Sequence, residues 1–425
     1  MSWCLLAIFF GLSALGLPLA VALGASAVAT LWLYDLPLSV VAQFMYTSVN
    51  SFLLLAVPLF ILAGQIMDRG GLSERIFSAA EAIVGRLRGG LGQVNILASF
   101  VFGGISGSAI ADVTSLGPLE IRAMTRRGYP RPYSAALTMV TATLSSIVPP
   151  SILMIIAAAS AGVSVGGALA GGLGPAVLLL IGFFAVNYIW ARRYGYGNEV
   201  KMGLRDVSWT IMRSLPSTGA PIIILGGMFS GIVTPTEAAA LAVAYTMLVA
   251  VLIHRELSLT ELPGLMITAG RTAGTVLLIV MTASVASYVF TVDGLPQRIT
   301  AIVLSLTSDP TLVMLLLCFV FVLVGMFMEI IAASLIVIPV LMPVIKTVGI
   351  DPLHFIVFLV TALSIGLATP PVGTCLFATS QISGVSIEKL SIAALPFYAV
   401  NLLVLMIVAV APQVVLWPVR LLTGL

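Results

Sequence analysis

Two short stretches of this chain place polar side chains inside otherwise apolar sequence. The first, from 103 to 117, is rich in glycine and serine and contains Asp112; the second, from 325 to 334, contains Glu329. A carboxyl group in apolar, membrane-like sequence is costly and is by default a sign of function. Hard cations prefer oxygen ligands such as hydroxyls, carbonyls and carboxylates. The two stretches therefore favour Na⁺ sites, with H⁺ as the open alternative.

A double proline interrupts the apolar sequence at two further positions. Residues 145–151 read SSIVPPS, and residues 366–374 read GLATPPVGT. Proline has no backbone N–H and cannot continue a helix cleanly, so each pair frees carbonyl oxygens and begins a new half-helix. Freed carbonyls suit a cation without adding fixed charge, and the positive end of a half-helix attracts an anion. The pattern predicts two cation sites with an anionic substrate between them.

The two halves of the chain carry these features in the same order. VTATLSSIVPP begins at Val140 and resembles VTALSIGLATPP, which begins at Val360. SFVFGGISGSAIAD likewise corresponds to CFVFVLVGMFMEII, GGLSERI to DGLPQRI, and AGVSVGGAL to SGVSIEKLS. Paired, interrupted apolar segments in corresponding positions of two halves point to the binding site of a transporter. We expect two inverted repeats, each with a re-entrant hairpin and a discontinuous helix broken at Pro-Pro.

The composition requires a membrane. Of the 425 residues, 60% are hydrophobic and 8% are charged, whereas soluble domains carry about 25% charge. Apolar runs of about 18 residues or more recur, which predicts an all-α polytopic membrane protein with roughly eleven spans rather than a β-barrel. The run before Asp35 is too long for a signal sequence, so we expect mature membrane helix there. A net charge of +3 without a basic face gives no indication of a nucleic-acid partner.

Three motifs carry a resemblance to a known family. They are GGISGSAIADVTSLGPL, GYPRPYSAALTMVTATLSSIVPPSILMI and GLATPPVGTCLF, which begin at Gly103, Gly128 and Gly366. Over nearly its whole length the chain resembles the large membrane subunit (DctM or SiaM type) of tripartite ATP-independent periplasmic (TRAP) transporters, in the ion transporter superfamily. The resemblance implies a Na⁺-driven elevator importer of an organic acid anion in the bacterial inner membrane. It also implies two partners, a separate small membrane subunit with four helices and a periplasmic substrate-binding protein. Neither enzymatic activity nor a cofactor is expected.

Carried over by position, the resemblance implies two sodium sites and a substrate site. The first sodium site would combine the first hairpin tip with the first break, and the second site would combine the second tip with the second break. The residues are Ser106, Gly107, Ser108, Ser145, Val148 and Pro150 for the first sodium site; Met326, Glu329, Gly366, Thr369 and Pro371 for the second; and Ser108, Asp112, Ser151 and Thr374 for the substrate.

This chain departs from the family pattern at two of these positions. The family usually has glycine four residues before the first proline; Gly366 keeps it, and Ser145 does not. Serine still offers its backbone carbonyl, so the first site stays in the prediction. The second tip usually carries aspartate where this chain has Glu329, whose extra methylene displaces the carboxylate. A direct contact between Glu329 and an ion is therefore left open.

An elevator divides such a chain into segments of three kinds. A scaffold stays still, a transport domain carries the hairpins and broken helices, and amphipathic arm helices in the membrane interface connect the two. The expected ranges are 1–67, 166–270 and 386–425 for the scaffold, 68–90 and 271–311 for the arms, and 91–165 and 312–385 for the transport domain.

Other functions agree with parts of the sequence. A Na⁺/dicarboxylate symporter without a binding protein shares the two-repeat plan, and a passive channel shares the apolar composition. GISG, at 104–107, matches the Gly-x-Ser-Gly of intramembrane serine proteases, which need a histidine base; only His254 and His354 exist, and neither is expected deep in a helix. The substrate stays open among C4-dicarboxylates, keto acids, sugar acids and sialic acid, because a binding protein would select it.

Overall fold

The computed structural model describes residues 1–196 and 203–424, with Leu204 described only in its backbone. Within these residues the chain is helical and has no strand, which confirms the all-α prediction. The helices are α1 Ser2–Ala14, α2 Leu19–Leu33, α3 Ser39–Val49, α4 Ala56–Arg69, α5 Leu72–Val84, α6 Gly90–Ser106, α7 Ala109–Ser115, α8 Gly117–Arg126, α9 Arg131–Ala142, α10 Ile152–Ala161, α11 Val165–Tyr194, α12 Leu204–Phe229, α13 Pro235–Leu248, α14 Leu262–Val292, α15 Leu295–Leu306, α16 Pro310–Phe327, α17 Ile330–Val348, α18 Pro352–Leu367, α19 Thr374–Ser383, α20 Ile387–Val410 and α21 Gln413–Thr423.

Among the described residues, seven helical stretches are long and apolar enough to cross a membrane. This confirms a polytopic membrane protein, although length alone assigns fewer spans than the roughly eleven expected from the apolar runs. The difference arises where a run divides into shorter helices; the run over 3–33, for example, becomes α1 and α2. The seven stretches are Phe52–Arg69, Val165–Tyr194, Pro235–Ile253, Leu262–Val292, Pro310–Phe327, Ile330–Val348 and Ile387–Val410.

The first polar stretch forms two helices joined by a tight turn at Gly107. Helix α6 ends at Ser106, Gly107 has a positive φ of 59°, and α7 begins after Ser108. The hydroxyl of Ser108 caps α7 by accepting a hydrogen bond from the Ala111 N–H at 3.4 Å. A side chain at Gly107 would be strained at this φ, and its Cβ would lie 2.8 Å from the carbonyl oxygen of Pro150.

The second polar stretch also separates two helices. Helix α16 ends at Phe327, Met328 is extended, and α17 begins after Glu329. The side chain of Glu329 caps α17, because its Oε2 accepts a hydrogen bond from the Ala332 N–H at 2.9 Å. A carboxylate at a helix N-terminus also opposes the positive end of the helix dipole. Glu329 therefore has a local structural role at the start of α17.

Each double proline lies in a break between two helices. After α9, a 3₁₀ turn over Thr143–Ser146 leads into an irregular segment, and α10 begins after Ser151. Helix α18 ends at Leu367, and α19 begins at Thr374. Both interruptions occur where the prolines remove backbone donors from the helical hydrogen-bond pattern. The discontinuities expected from the sequence are thus present at both places.

The tips and the broken helices pack crosswise. Helix α6 packs against α9, and α16 packs against α18, so each helix that leads to a polar stretch lies beside a helix that ends at a double-proline break. The short helix α19 of the second half contacts α7 of the first, and α10 of the first half contacts α17 of the second. The four elements therefore converge on one central region.

Helices from other parts of the chain border this central region. The long helix α14 packs against α2, α3 and α4 and also contacts α17, and α13 packs against α4. Helix α5, which lies in the predicted arm segment 68–90, packs against α6 and α12. Its Arg75 forms an ion pair with Glu256, with Nη2 2.5 Å from Oε1, and thereby links α5 to the connection between α13 and α14.

Candidate functional site

The first hairpin tip lies directly against the first break. A Cβ on Gly103 would lie 2.6 Å from Ser145 Cα, and a Cβ on Gly104 would lie 3.2 Å from the carbonyl oxygen of Pro149. The approach at Gly103 is possible only for glycine, whereas a side chain at Gly104 would need a shift of a few tenths of an ångström in its neighbour. The structure therefore brings together the two groups of residues predicted for the first sodium site, the 106–108 tip and the 145–150 break.

Asp112 is buried beside this contact and is held by hydroxyl groups. Ser145 Oγ donates a hydrogen bond to Asp112 Oδ2 across 2.7 Å and lies 3.5 Å from the carbonyl oxygen of Ser99. Asp112 is 1% exposed and Ser145 is fully buried. The serine that replaces the usual glycine at position 145 thus adds a hydroxyl contact to this carboxylate, while its carbonyl remains in the break.

The second tip and the second break are joined by a direct hydrogen bond. The N–H of Gly373 donates to the carbonyl oxygen of Met326 across 3.0 Å. A Cβ on Gly366 would lie 2.6 Å from Gly325 Cα, so these backbones also approach closely. Thr369 Oγ1 donates to the carbonyl oxygen of Ile365 at 2.8 Å. The backbone of the second tip at Gly325 and Met326 therefore lies directly against the second break at Gly366 and Gly373.

A cavity of about 470 Å³ opens between the tips, the broken helices, α4 and α14. Such a volume lies in the range of small-molecule sites. Five of the predicted residues line it: Ser106, Gly107, Ser108, Glu329 and Thr374. The other predicted residues lie outside its lining: Asp112, Ser145, Val148, Pro150, Ser151, Met326, Gly366, Thr369 and Pro371.

The first turns of the two short helices after the breaks face this cavity. Ile152 and Leu153 of α10 and Thr374 of α19 belong to its lining. The first N–H groups of a helix have no partner within the helix, and its N-terminal end carries a partial positive charge. Both caps are neutral, because Ser151 Oγ accepts from the Met154 N–H at 3.1 Å and Gly373 has no side chain. This wall is therefore suited to an anion.

The opposite wall was not among the residues predicted from the sequence. It comes from α4, through Gln65 and Asp68, and from α14, through Thr272. These residues lie far from the tips and breaks in the sequence, and only the packing of α4 and α14 beside the central region brings them to the cavity. The one signal in the sequence for this wall was the pair of polar residues at 65 and 68 of the apolar helix α4. Residues three apart share a helix face, so the pair indicated a polar face on α4.

Three further hydrogen bonds connect the break and the first tip region to neighbouring helices. The hydroxyl of Tyr398, in α20, donates to the carbonyl oxygen of Ala368 in the second break across 2.7 Å. Asn95 Nδ2 donates to Glu120 Oε2 at 2.8 Å, and Thr141 Oγ1 donates to Asn95 Oδ1 at 2.9 Å. The two contacts of Asn95 join α6, α8 and α9 in a buried polar network.

The two histidines make contacts away from the GISG motif. His254 Nε2 lies 3.0 Å from Ser217 Oγ, and His354 Nε2 lies 2.7 Å from the carbonyl oxygen of Val408. His354 lies in the first turn of α18, at the start of a helix as expected from the sequence, and is 3% exposed. Neither histidine belongs to the lining of the cavity that contains Ser106.

Comparison with protein families finds one matching family model. It describes the DctM component of the tripartite ATP-independent periplasmic transporter and matches residues 6–414. A solved transporter, YdaH from Alcanivorax borkumensis, has the same fold, with a TM-score of 0.63 at 16% identity, over 97% of this chain and 99% of that one.

Two curated relatives are similar along most of this chain. An isethionate TRAP transporter permease protein of Oleidesulfovibrio alaskensis is 36% identical over 96% of this chain and 65% of its own length, so this chain spans less than two thirds of that relative. The sialic acid TRAP transporter large permease protein of Vibrio cholerae is 35% identical over 88% of this chain and 87% of its own length. Both relatives are named as permeases, not as enzymes.

Proposed function

The chain belongs to the DctM family of tripartite ATP-independent periplasmic (TRAP) transporters, and on that premise we propose that it imports an organic acid anion by Na⁺ symport. Its relatives are inner-membrane permeases, so the chain is a membrane transport protein and not an enzyme, and the serine protease alternative is set aside. The family implies a small membrane subunit and a periplasmic substrate-binding protein as partners.

The observation that carries this proposal is the convergence of two neutral-capped helix N-termini, those of α10 and α19, on one cavity. Helix N-termini bind anions through unpaired N–H groups and the dipole. Among the described residues, no lysine or arginine lines the cavity. The acid group of the substrate accordingly binds backbone N–H groups near Thr374 and Leu153, with the hydroxyl of Ser108 close by. The printed names of the relatives include both isethionate and sialic acid, which agrees with an organic acid anion.

The two coupling ions bind where each tip meets its own break. The first Na⁺ takes oxygen ligands from the 106–108 tip and from the 145–150 break; the second takes them from Met326 and from the 366–371 break. The close approach of Gly103 to Ser145 and of Gly325 to Gly366 supports both sites, since it sets hydroxyls and freed carbonyls side by side. Oxygen ligands of this kind suit a hard cation.

Transport proceeds by an elevator in which the two halves act as inverted repeats. Segments 91–165 and 312–385 move together, because their tips and broken helices pack crosswise into one body. The cavity lies between this body and the neighbouring helices α4 and α14. A movement of the body along those helices would expose the cavity to one side of the membrane at a time, as alternating access requires.

Reconstitution into proteoliposomes with the small subunit and the binding protein tests the proposal. We expect uptake of the cognate anion to require Na⁺ and to rise with an inside-negative potential. If two Na⁺ accompany a monovalent anion, one net charge enters, worth about 2.3 kcal/mol per 100 mV. Uptake that persists when K⁺ replaces Na⁺ and that a pH gradient drives would overturn Na⁺ coupling. Uptake without the binding protein would favour the alternative, a Na⁺/dicarboxylate symporter.

A further inference from the structure

Glu120 is a buried carboxyl group that the proposed function does not use. It lies in the first turn of α8, is fully buried, and does not belong to the lining of the cavity. Asn95 Nδ2 donates to its Oε2 at 2.8 Å, but its Oε1 is also buried and has no hydrogen-bond partner among the described residues. One oxygen of this carboxyl group therefore lies in the protein interior without a donor.

No positive charge compensates for the carboxyl group of Glu120. Helices α6, α7, α9 and α19 pack against α8. The titratable groups within these four helices, and the basic groups of α8 itself, are Asp112, Arg131, Tyr133, Cys375, Arg122 and Arg126. The three arginines are exposed. Within the part of the chain that the structure describes, Glu120 forms no ion pair.

The buried charge that acts on Glu120 has the same sign. Asp112 is 1% exposed, so water does not screen its electrostatic effect on Glu120. An ionised carboxylate without a partner costs far more to bury than a neutral acid does, and a second carboxylate nearby adds to that cost. A neutral carboxyl group, even with an unpaired oxygen, avoids the larger part of this cost. The surroundings of Glu120 therefore favour its protonated form.

A series of side chains connects Glu120 to the first break. Asn95 contacts Glu120 through Nδ2, and its Oδ1 accepts from Thr141 Oγ1 at 2.9 Å. Ser99 Oγ lies 3.4 Å from Thr141 Oγ1, and Ser145 Oγ lies 3.5 Å from the carbonyl oxygen of Ser99. All five residues are buried. Because the effective dielectric constant is low in such surroundings, a charge at either end of the series affects the other end with little screening.

We propose that Glu120 is a proton-binding site linked to the first sodium site, so that Glu120 holds a proton while that site is empty and Na⁺ binding favours release of the proton to solvent. A positive ion at the break stabilises the ionised carboxylate, and the ionised carboxylate in turn attracts the ion; the two effects are equal by linkage. The linkage rests on the proposed function, since it needs Na⁺ at the break. The proton itself depends only on the burial and the contacts of Glu120.

Infrared spectroscopy tests the proton directly. The chain is purified with its small subunit in lipid nanodiscs, in KCl at about pH 7, where an exposed glutamate is ionised. We expect the carbonyl band of a neutral carboxylic acid in the wild-type spectrum and its reduction by one group per chain in Glu120→Gln, which keeps the size of the side chain and an acceptor for Asn95. Glu74→Gln, at an exposed position in α5, is the control and should leave the band unchanged.

A second measurement keeps the test valid if Glu120→Gln does not fold. Glutamate that carries a heavy carbon isotope in its side-chain carboxyl group shifts its bands away from those of aspartate. In a Glu329→Gln background, which removes the glutamate that lines the cavity, the shifted neutral-acid band reports on Glu120 in protein that retains it. Absence of this band would show that Glu120 is ionised.

Calorimetric titration with NaCl tests the linkage. In wild-type protein the half-saturating Na⁺ concentration should fall about fivefold or more between about pH 6 and about pH 9, because an ionised Glu120 favours the ion. In Glu120→Gln it should change far less with pH. In weakly buffered solution, addition of NaCl should release protons from wild type and fewer from the variant.

The outcomes separate this inference from the proposed function. If Na⁺ binds but the spectrum shows an ionised Glu120, or if Glu120→Gln keeps the full pH dependence, the inference is overturned and Na⁺ coupling stands. An ionised Glu120 whose replacement lowers the number of Na⁺ bound per chain would also overturn it, in favour of a cation site at Glu120. If the neutral-acid band is present but no Na⁺ binds at any pH, the proposed function and the linkage fail, and only the proton on Glu120 stands.

Discussion

Tyr398 donates its phenolic hydroxyl to the carbonyl oxygen of Ala368 across 2.7 Å, from a helix that begins after the second break to the break itself. Ala368 is the first residue beyond α18, where the last carbonyls of a helix lack partners. It directly precedes Thr369, a residue of the proposed second sodium site. The contact therefore satisfies one freed carbonyl and fixes the course of the backbone beside the others.

Replacement of Tyr398 by phenylalanine should weaken the apparent affinity for Na⁺. The aromatic ring keeps its packing, but the carbonyl of Ala368 loses its donor, and the backbone at Thr369 becomes less well fixed. We expect the Na⁺ concentration for half-maximal uptake to rise about threefold to tenfold, the equivalent of one hydrogen bond. Na⁺ activation curves measure it, with Tyr46→Phe, at an exposed position in α3, as the control. An unchanged curve would show that Tyr398 serves packing alone.

Replacement of Thr369 or Pro371 by alanine should impair transport more than folding. Alanine at 371 restores a backbone N–H and lets the helix re-form, and alanine at 369 removes the hydroxyl that bonds to the Ile365 carbonyl oxygen. We expect at least a tenfold loss of Na⁺-driven uptake with little change in thermal unfolding, each measured on purified protein.

The matched control for Thr369→Ala is Thr347→Ala. Thr347 Oγ1 donates to the carbonyl oxygen of Pro343 at 2.8 Å, which is the same kind of bond to the fourth preceding residue, but it lies in α17 far from the break. Wild-type Na⁺ dependence in the Thr369 and Pro371 variants would mean that the 366–374 segment is only a kink.

Local signals in the sequence were sufficient to predict where the helices are interrupted. The prolines at 149–150 and 370–371 remove donors, and Gly107 permits a positive φ, so both effects act within a few residues of their cause. Gln65 and Tyr398 could not be predicted in the same way. Each reaches the site through the packing of a distant helix, and an apolar membrane helix carries little periodic signal to show which face meets which neighbour.

Ser145 is a second example of a contact that the sequence could not predict. The family resemblance implied, by its position before Pro149, that Ser145 supplies a carbonyl ligand. The contact of its hydroxyl with Asp112 depends on the way α7 folds back from the tip, and the residue spacing does not encode that geometry. The sequence therefore predicted which segments would form the candidate site but not the partners of their side chains.

The ion pair between Arg75 and Glu256 should make stability depend on pH in acid. The hydrogen bond from Arg75 holds the pKa of Glu256 below its usual range, against the effect of partial burial, and the charges of Arg75 and His254 act in the same direction. A lowered pKa stabilises the folded state above the unfolded-state pKa, near about 4.3, and this contribution is lost as pH falls through the folded-state value.

Thermal unfolding at about pH 6 and about pH 3.5 tests this effect. Wild type should exceed Glu256→Gln modestly at the higher pH, since exposed ion pairs contribute roughly 0–1 kcal/mol. The difference should become smaller at the lower pH. Glu74→Gln is the control, because Glu74 is an exposed carboxylate in α5, the same helix as Arg75. A difference that stays constant with pH would exclude a role for the charge of Glu256.

Disulfide cross-links test whether the two hairpins and broken helices move as one body against the rest. A Cβ on Gly104 would lie 3.7 Å from Pro221 Cβ in α12, and a Cβ on Gly24 would lie 3.5 Å from Thr282 Cβ in α14. Both separations suit a disulfide. The first pair joins the hairpin tip to the proposed scaffold. The second joins α2 to α14, outside the moving body.

In a background without Cys4, Cys318 and Cys375, oxidation of Gly104→Cys with Pro221→Cys should abolish uptake, and reduction should restore it. An elevator requires the tip to travel past α12, so a covalent link there stops the cycle. The same oxidation of Gly24→Cys with Thr282→Cys should leave uptake unchanged, as should a link between the small subunit and the scaffold. Mass spectrometry confirms that each disulfide has formed. Full uptake with the first pair linked would rule out an elevator and leave a rocking or gated-pore mechanism.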